Sequence, residues 1–147
     1  NAIFGARRYE EIAKTAQGTD ALITYAKIPG KHQKTKGVEA INAIFKNLAN
    51  KNFKKFSEIK KKDFSEITKK KCGQEALLTF ARIPGHTEEQ IVALEALKEA
   101  NVSSYGKKIS QIAYSIRKHA TDLSSTYSIR LDNLCATFNY VPGWGKY

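Results

Sequence analysis

The side chains that most often carry catalysis are few and scattered in this sequence. The three histidines, His32, His86 and His119, have no cysteine or carboxylate at a spacing typical of a catalytic pair or a metal site. The acidic residues form no cluster of the kind that holds two metal ions, and a glycine-rich phosphate loop is absent. The sequence therefore predicts a protein that is not an enzyme and that uses no cofactor or metal ion.

Lysine is the residue type whose number and spacing indicate a chemistry, which is the binding of anions. The 147 residues include 25 Lys and Arg against 14 Asp and Glu, a formal net charge of +11. Residues 51–71 alone carry nine lysines against three acidic residues, with lysine triplets at 60–62 and 69–71. Such a density of amines attracts phosphate groups. The charge predicts a polyanionic partner, with a nucleic acid as the first choice, and does not by itself distinguish DNA from RNA or a single strand from a duplex.

Apolar residues interleave with these lysines. Within residues 51–71 they fall on one helical stripe, which consists of Phe53, Phe56, Ile59, Phe64 and Ile67. The opposite side of the same pattern consists of Lys54, Lys55, Lys61, Lys62 and Lys69. The pattern predicts that one face of this segment packs and that the other is cationic.

An internal repeat organises the elements that must hold these lysines. Residues 9–30 align with residues 64–85, and eleven of the 22 aligned positions are identical. Each copy ends in Ile-Pro-Gly, where proline stops a helix and glycine accepts the backbone conformation of a tight turn. A third, more divergent ending covers residues 137–143. The repeat predicts a unit made of a helix, a glycine break, a second helix and a Pro-Gly stop.

Apolar residues at spacings of three and four predict further helices near 37–49, 88–100, 107–119 and 123–135. Thr87 and Asp63 are expected to start helices as capping residues. No segment alternates as a β-strand does. The sequence therefore predicts one all-α domain over residues 1–147, with six to eight helices arranged as duplicated helical hairpins that are punctuated by Pro-Gly turns. A candidate sub-boundary lies near residue 86.

Apolar runs in the sequence are too short for a membrane span or for the core of a signal peptide. We therefore expect the protein in a virion or in a nucleic-acid compartment such as the nucleoid or the cytoplasm. The two cysteines, Cys72 and Cys135, are too few for a disulfide framework, and either one bridge or two buried thiols would fit them.

The Ile-Pro-Gly turns resemble the helix-hairpin-helix motif, in which a Pro-Gly hairpin presents backbone N–H groups to a DNA phosphate. Residues 22–45 and 77–97 are the parts that match. The family continues with a hydrophobic residue and a second glycine, whereas polar residues follow both turns in this chain. The resemblance implies a phosphate site at the first hairpin, held by Lys31, Lys34 and Lys36.

Residues 87–135 resemble helix-turn-helix and winged-helix proteins. Two helices are followed by a short polar turn and by a hydroxyl-rich helix start at residues 123–130, which is similar to the recognition-helix region of such regulators. The resemblance implies a DNA-binding regulator. The basic residues that it places near the DNA are Arg117, Lys118 and Arg130.

In its organisation the whole chain resembles the coat proteins of filamentous archaeal viruses, which are small, basic and all-helical and wrap linear double-stranded DNA as paired subunits. The resemblance covers the repeat and the distributed lysines rather than a diagnostic motif. It implies a protein that coats DNA largely without sequence specificity and associates with itself or with a paralogous subunit. The expected phosphate contacts are Arg7, Arg8, Lys31, Lys34, Lys36, Lys51, Lys54, Lys55, Lys60, Lys61, Lys62, Lys69, Lys70 and Lys71. We favour this hypothesis because it alone uses both the repeat and the charge.

Duplicated helical hairpins are also typical of solenoids that bind other proteins. In that alternative, aromatic residues such as Tyr25, Phe80, Tyr105 and Trp144 would line the partner surface, and the lysines would only keep the chain in solution. The response to salt discriminates the two classes. A phosphate binder loses affinity steeply as the salt concentration rises, whereas an apolar protein contact hardly changes.

Overall fold

Each of the two aligned segments supplies the first two helices of a three-helix unit. The computed structural model describes residues 5–53, 58–100, 105–120 and 123–136. The first unit consists of α1 (Gly5–Ile12), α2 (Ala16–Ala26) and α3 (Lys36–Ala49), with a short 3-10 helix (Lys31–Lys34) before α3. The second unit consists of α4 (Lys61–Ile67), α5 (Lys71–Arg82) and α6 (Thr87–Glu99). Two more helices follow, α7 (Gly106–His119) and α8 (Ser125–Cys135).

The prediction of an all-α fold with six to eight helices is confirmed. The described residues hold eight α-helices and no β-strand. α3, α6, α7 and α8 begin and end within two residues of the bounds expected from apolar periodicity. Residue 86 lies in the turn between α5 and α6, and these two helices pack against each other. The third Pro-Gly ending, at residues 137–143, lies outside the described residues.

The expected continuous helical stripe through residues 51–71 is wrong, although four of its apolar positions are buried as expected and the fifth, Phe56, lies outside the described residues. α4 begins only at Lys61, and Lys60 before it has an extended backbone with φ −97° and ψ 166°. Phe53, Ile59, Phe64 and Ile67 are all at most 5% exposed. A segment that folds over a core buries its apolar side chains whether or not it is helical, so periodicity alone does not prove a helix.

Asp63 caps its helix from a position inside it, and in the second helix Gln90 takes the role that was expected of Thr87. Asp63 is the third residue of α4, and its carboxylate accepts a hydrogen bond from the backbone N–H of Lys60 at 3.0 Å. Thr87 is the first residue of α6, and the side chain that reaches back is Gln90, which accepts from the N–H of His86 at 3.2 Å. In both helices a first-turn side chain, rather than a preceding one, satisfies a free backbone donor.

The turn between the first two helices of each unit requires glycine. A Cβ atom at Gly18 would lie 1.8 Å from the carbonyl oxygen of Ile12, and one at Gly73 would lie 1.9 Å from that of Ile67. Real Cβ atoms do not approach an oxygen so closely, so any side chain would force the two helices apart. The repeated glycine therefore fixes the approach of α1 to α2 and of α4 to α5.

A side-chain hydrogen bond secures the same turn in both units. In the first unit the Thr19 hydroxyl donates to the carbonyl oxygen of Ala13 at 3.0 Å. In the second unit Gln74, at the equivalent position, donates from Nε2 to the carbonyl oxygen of Thr68 at 2.8 Å. Different residue types thus satisfy the same buried acceptor, which shows that the duplication extends to polar contacts.

The Pro-Gly turns are also built alike. Gly30 and Gly85 have φ values of 132° and 117°, which only glycine adopts readily. The last turn of α2 is closed by Gln33, which donates to the carbonyl oxygen of Ala26 at 2.9 Å. In the second unit Gln90 donates to the carbonyl oxygen of Ala81, the equivalent acceptor, at 2.7 Å.

The units stack through their third helices. α3 packs against α4 and α5 of the next unit, and α6 packs in the same way against α7 and α8. Phe45 of α3 meets Phe64 and Phe80 edge to face, with ring centroids 5.8 and 5.6 Å apart. Aromatic pairs in this geometry add stability beyond the burial of their surface. The buried residues of both units and of α7 and α8 form a single core.

We expect Gly73→Ala to lower the free energy of unfolding by roughly 2 kcal/mol or more, because the methyl group collides with the carbonyl oxygen of Ile67. Gly37→Ala is the matched control, since a Cβ there meets neighbours at ordinary distances of 3.5 Å and beyond. In α3 that control should be neutral or stabilising by up to about 1 kcal/mol. Urea unfolding followed by circular dichroism measures both, and equal effects would contradict the close approach.

Candidate nucleic-acid interface

Eight lysines gather at the starts of three helices. Lys60 precedes α4, whose first two residues are lysines, and the triplet at 69–71 leads into α5. α7 has two more lysines in its first turn. We call these eight side chains, all exposed, the basic face: Lys60, Lys61, Lys62, Lys69, Lys70, Lys71, Lys107 and Lys108.

The fold brings these helix starts close together. The seven residues of α4 span about 10 Å, so the two triplets lie only one short helix apart. The hydroxyl of Tyr105, just before α7, donates to the carboxylate of Glu75 in the first part of α5 at 3.0 Å. Lys108 lies over the Tyr105 ring, with its amine 5.6 Å from the ring centroid. The start of α7 is thereby tied to the start of α5.

The basic face violates the rule that governs charges at helix ends. The first N–H groups of a helix carry partial positive charge, so lysines there are unfavourable and acidic residues are favourable. α5 and α7 have no acidic residue in their first turns. α4 has one, Asp63. The cationic side chains and the helix starts therefore add to the same positive potential, which a bound anion would relieve.

The repeat gives an internal reference for the cost of placing lysines at a helix start. In α2 the hydroxyl of Thr15 accepts a hydrogen bond from the N–H of Gly18 at 2.9 Å and caps the helix. The equivalent position before α5 is Lys70, whose side chain makes no capping hydrogen bond. Replacing a threonine cap by a residue that cannot cap costs about 1 kcal/mol. A local loss of stability of this kind is expected where function, rather than folding, determines the residue.

Three of the sequence-predicted lysines are held by carboxylates. Lys51 lies 2.8 Å from Asp63, Lys61 lies 2.6 Å from Glu99, and Lys69 lies 2.9 Å from Glu66. The hydrogen bond to Glu99 raises the pKa of the Lys61 amine. The equivalent of the third pair occurs in the first unit as Lys14 and Glu11, at 3.1 Å. This pair therefore belongs to the common scaffold.

The other lysines of the basic face have no carboxylate partner in the part of the chain that the structure describes. Within the described residues, no carboxylate oxygen comes within 4.0 Å of the amines of Lys60, Lys62, Lys70, Lys71, Lys107 or Lys108. Their charges are available to an external anion. Lys107 and Lys108 were not among the residues predicted from the sequence, although lysines in the first turn of a helix are the signal that would have identified them.

Asp63 is the buried acid beneath the basic face. Burial alone would raise the pKa of its carboxyl group, but the hydrogen bonds from Lys51 and from the backbone of Lys60 outweigh it and lower the pKa. The side chain is 5% exposed, while that of Lys51 is 55% exposed. Asp63 therefore joins the end of α3 to the start of α4 and is not available as a repulsive charge.

The remaining predicted residues lie elsewhere. Lys31 and Lys34 in the 3-10 helix and Lys36 at the start of α3 are exposed, about 20 Å from Lys51 along α3. Arg8 is exposed in α1. The Arg7 side chain and residues 54–57, which include Lys54 and Lys55, lie outside what the structure describes. The first hairpin therefore lies at the opposite end of α3 from Lys51 and its partner Asp63.

The helix-turn-helix region forms an antiparallel hairpin. The hydroxyl of Ser110 in α7 donates to the carbonyl oxygen of Leu134 near the end of α8 at 3.2 Å. Arg117 Nε lies 2.6 Å from Asp132, and Arg130 Nε donates to Glu95 of α6 at 2.9 Å. Of the three basic residues expected near DNA, Lys118 alone has no ion pair among the described residues.

A cleft of about 770 Å³ lies beside the second Pro-Gly turn, between α5, α6, α7 and the start of α8. Ile112, Ile116 and Leu123 give it an apolar wall, and Arg82 and His119 are among its polar lining. Its volume is in the range of sites that bind small molecules. The sequence did not indicate this cleft, because its lining comes from separate helices.

Comparison of the chain with known protein families, with curated proteins and with solved structures finds no match. None of the helices in the described ranges is long and apolar enough to cross a membrane. The same residues contain no group of three or more His, Cys, Asp and Glu side chains that could hold a metal ion. The site must therefore be interpreted from its own geometry.

We expect Lys70→Thr to raise the free energy of unfolding by about 1 kcal/mol, because the new hydroxyl can accept from the N–H of Gly73 as Thr15 does from Gly18. The reciprocal change, Thr15→Lys, should lower it by a similar amount. Both are measured by urea denaturation. A Lys70→Thr variant that is no more stable than the wild type would show that the two helix starts are not equivalent.

We expect Asp63→Asn to lower the free energy of unfolding at pH 7 by about 1 to 3 kcal/mol, since the amide keeps an acceptor but loses the charge beside Lys51. The pKa of Asp63 is lower in the folded state, so its stabilisation is present above about pH 4 and is lost as the pH falls through the folded value. Urea unfolding at pH 7 and near pH 3 measures the difference between the two proteins.

The matched control for that experiment is Glu66→Gln in the same helix. Glu66 is half exposed in its pair with Lys69, so its loss should change the stability by less than about 1 kcal/mol. A stability difference between wild type and Asp63→Asn that persists unchanged at low pH would contradict the assigned role of the carboxylate.

Proposed function

We propose that this chain is a non-enzymatic structural protein that binds the phosphates of double-stranded DNA through the basic face and coats or packages the DNA largely without reading its sequence, as the coat of a filamentous virion does. The observation that carries the proposal is the start of α5. Lysine stands there at the position of a helix cap, beside further lysines and within reach of the start of α7.

The dimensions of the basic face suit a duplex. A stretch of DNA as long as α4 carries about six phosphate charges, since the duplex has one charge per roughly 1.7 Å of its axis. Six lysines of the face have no competing carboxylate within the described residues. A lysine amine is a point charge without the planar fork that pairs with a base edge. The face is thus suited to hold phosphates in any sequence.

The alternative of a helix-turn-helix regulator has weaker support. Specific reading of guanine most often uses an arginine with both of its N–H edges free. Arg130 already donates two hydrogen bonds to Glu95, and Arg117 is paired with Asp132. Each arginine would have to give up its own ion pair before it could present both N–H edges to a base.

The alternative of a protein- or ligand-binding helical module is favoured by one observation, the cleft beside Pro84 and Gly85. Its apolar wall and size fit a small molecule or a side chain from a partner. The salt response separates this candidate from the DNA-coating proposal, because burial of an apolar group depends little on ionic strength.

We expect the protein to bind duplexes of unrelated sequence with similar affinity, and the affinity to fall by a thousandfold or so between low and moderately raised salt. The double variant Lys70→Glu with Lys71→Glu should reduce the slope of log affinity against log salt concentration by about 2, one for each lost phosphate contact. Fluorescence anisotropy with labelled duplexes at several salt concentrations measures the slope, and electron microscopy of the saturated mixture shows whether filaments form.

Lys118→Glu is the matched control, because Lys118 is exposed at the far end of α7 from Lys107. It should leave the slope nearly unchanged. A larger effect of Lys118→Glu than of the double variant would favour the helix-turn-helix alternative. The absence of binding at low salt would exclude the proposal.

A further inference from the structure

The two units bury the same residue pattern differently. In α5 and the turn after it, four residues spaced as one helical stripe are at most 2% exposed: Ala76, Thr79, Phe80 and Ile83. The equivalent residues of the first unit have the same types except that tyrosine replaces phenylalanine, and we call them the first-unit stripe: Ala21, Thr24, Tyr25 and Ile28. Three of these four are exposed and Tyr25 is half-buried.

The cover of the buried stripe comes from the preceding unit. α3 packs against α5, and Phe45 of α3 meets the ring of Phe80 with centroids 5.6 Å apart. The first-unit stripe has no preceding unit among the described residues. Tyr25 meets the rings of two residues of its own unit, Tyr9 at 6.1 Å and His32 at 5.6 Å. An apolar pattern that is retained without its cover indicates a surface for another helix.

A second exposed apolar side chain lies at the other end of the stack. Among the described residues, the large hydrophobic side chains that are exposed are Ile28, at 46%, and Ile129 of α8, at 61%. α8 packs on α6 and α7, whereas the stripe belongs to the first unit. The two apolar surfaces are therefore at opposite ends of the order in which the units stack.

We propose that the first-unit stripe is a self-association surface that receives α8 of a second copy of this chain around Ile129. The contact continues the stacking seen inside the chain, where the first unit covers the stripe of the second. The charges do not oppose it, because Lys27 and Lys31 flank Ile28, while on α8 the Arg130 cation is already paired with Glu95. The contact also covers both exposed isoleucines at once.

The geometry of this contact determines the type of assembly. It joins two different surfaces, so every bound copy leaves one free stripe and one free α8. Contacts of this type produce open chains unless the rotation between copies closes a ring. The contact does not involve the basic face, so it forms without nucleic acid and is tested separately from the proposed function.

Sedimentation velocity of the DNA-free protein over a range of concentrations tests the proposal. We expect the wild-type mass to rise progressively beyond a dimer with concentration, and Ile28→Asp and Ile129→Asp each to weaken association by roughly tenfold or more. Asn52→Asp is the matched control, because it adds the same charge at an exposed position beyond the end of α3, whereas Ile28 lies in the turn that precedes α3. It should associate as the wild type does.

Mixing the two variants gives the sharpest test. Ile28→Asp retains an intact α8, and Ile129→Asp retains an intact stripe. At concentrations where each variant alone is monomeric, the mixture should therefore form dimers that cannot grow. Recovery of a dimer also shows that both variants are folded. A monomeric wild type at all concentrations would overturn the proposal. So would an unaffected Ile129→Asp variant, which would leave the stripe to bind itself or a different protein.

Discussion

The close approach of a glycine to a carbonyl oxygen is the constraint on which the rest of this structure depends. It occurs twice, at Gly18 against Ile12 and at Gly73 against Ile67. Without a Cβ atom at these positions, the second helix of each unit starts directly against the end of the first. That contact sets the crossing of the pair, and the pair presents the surface on which a third helix can lie. The stack of units follows from one geometric rule applied twice.

The duplication separates scaffold from function. Two contacts that recur in both units maintain the fold, the glycine approach and the closure of the second helix by a glutamine. The ion pair of Lys14 with Glu11 or of Lys69 with Glu66 also recurs, but it is exposed and adds little stability. Features that occur in only one unit account for the difference between the two units. Lysine in place of a threonine cap is such a feature, because it weakens a helix start in exchange for positive potential.

The basic face and the exposed isoleucines occupy different parts of the molecule. The basic face lies at the starts of α4, α5 and α7, whereas the exposed apolar residues lie at the first Pro-Gly turn and on the outer side of α8. This separation allows an anion to bind without competing with contacts between copies. It is compatible with a protein that assembles side by side along a charged polymer, where one surface faces the polymer and two others face neighbouring copies.

The sequence alone was sufficient to predict the repeated unit and its helices, because the rules that determine them are local. Glycine at the break, proline and glycine at the stop, and apolar periodicity depend on residues within a few positions of each other, so the bounds of α3, α6 and α7 were predicted closely. The same local rule was wrong for residues 51–53 and 58–60, since burial over a core produces an apolar pattern without an α-helix.

Tertiary structure alone decided which charges are free. In the sequence, nothing distinguishes Lys51, Lys61 and Arg130 from the unpaired cations. In the structure they form ion pairs with Asp63, Glu99 and Glu95, respectively. Lys107 and Lys108 join the basic face because Tyr105 binds Glu75, thirty positions earlier. Ile28 and Ile83 have the same local sequence and opposite exposure. Such differences depend on distances between residues remote in the chain, which no local pattern encodes.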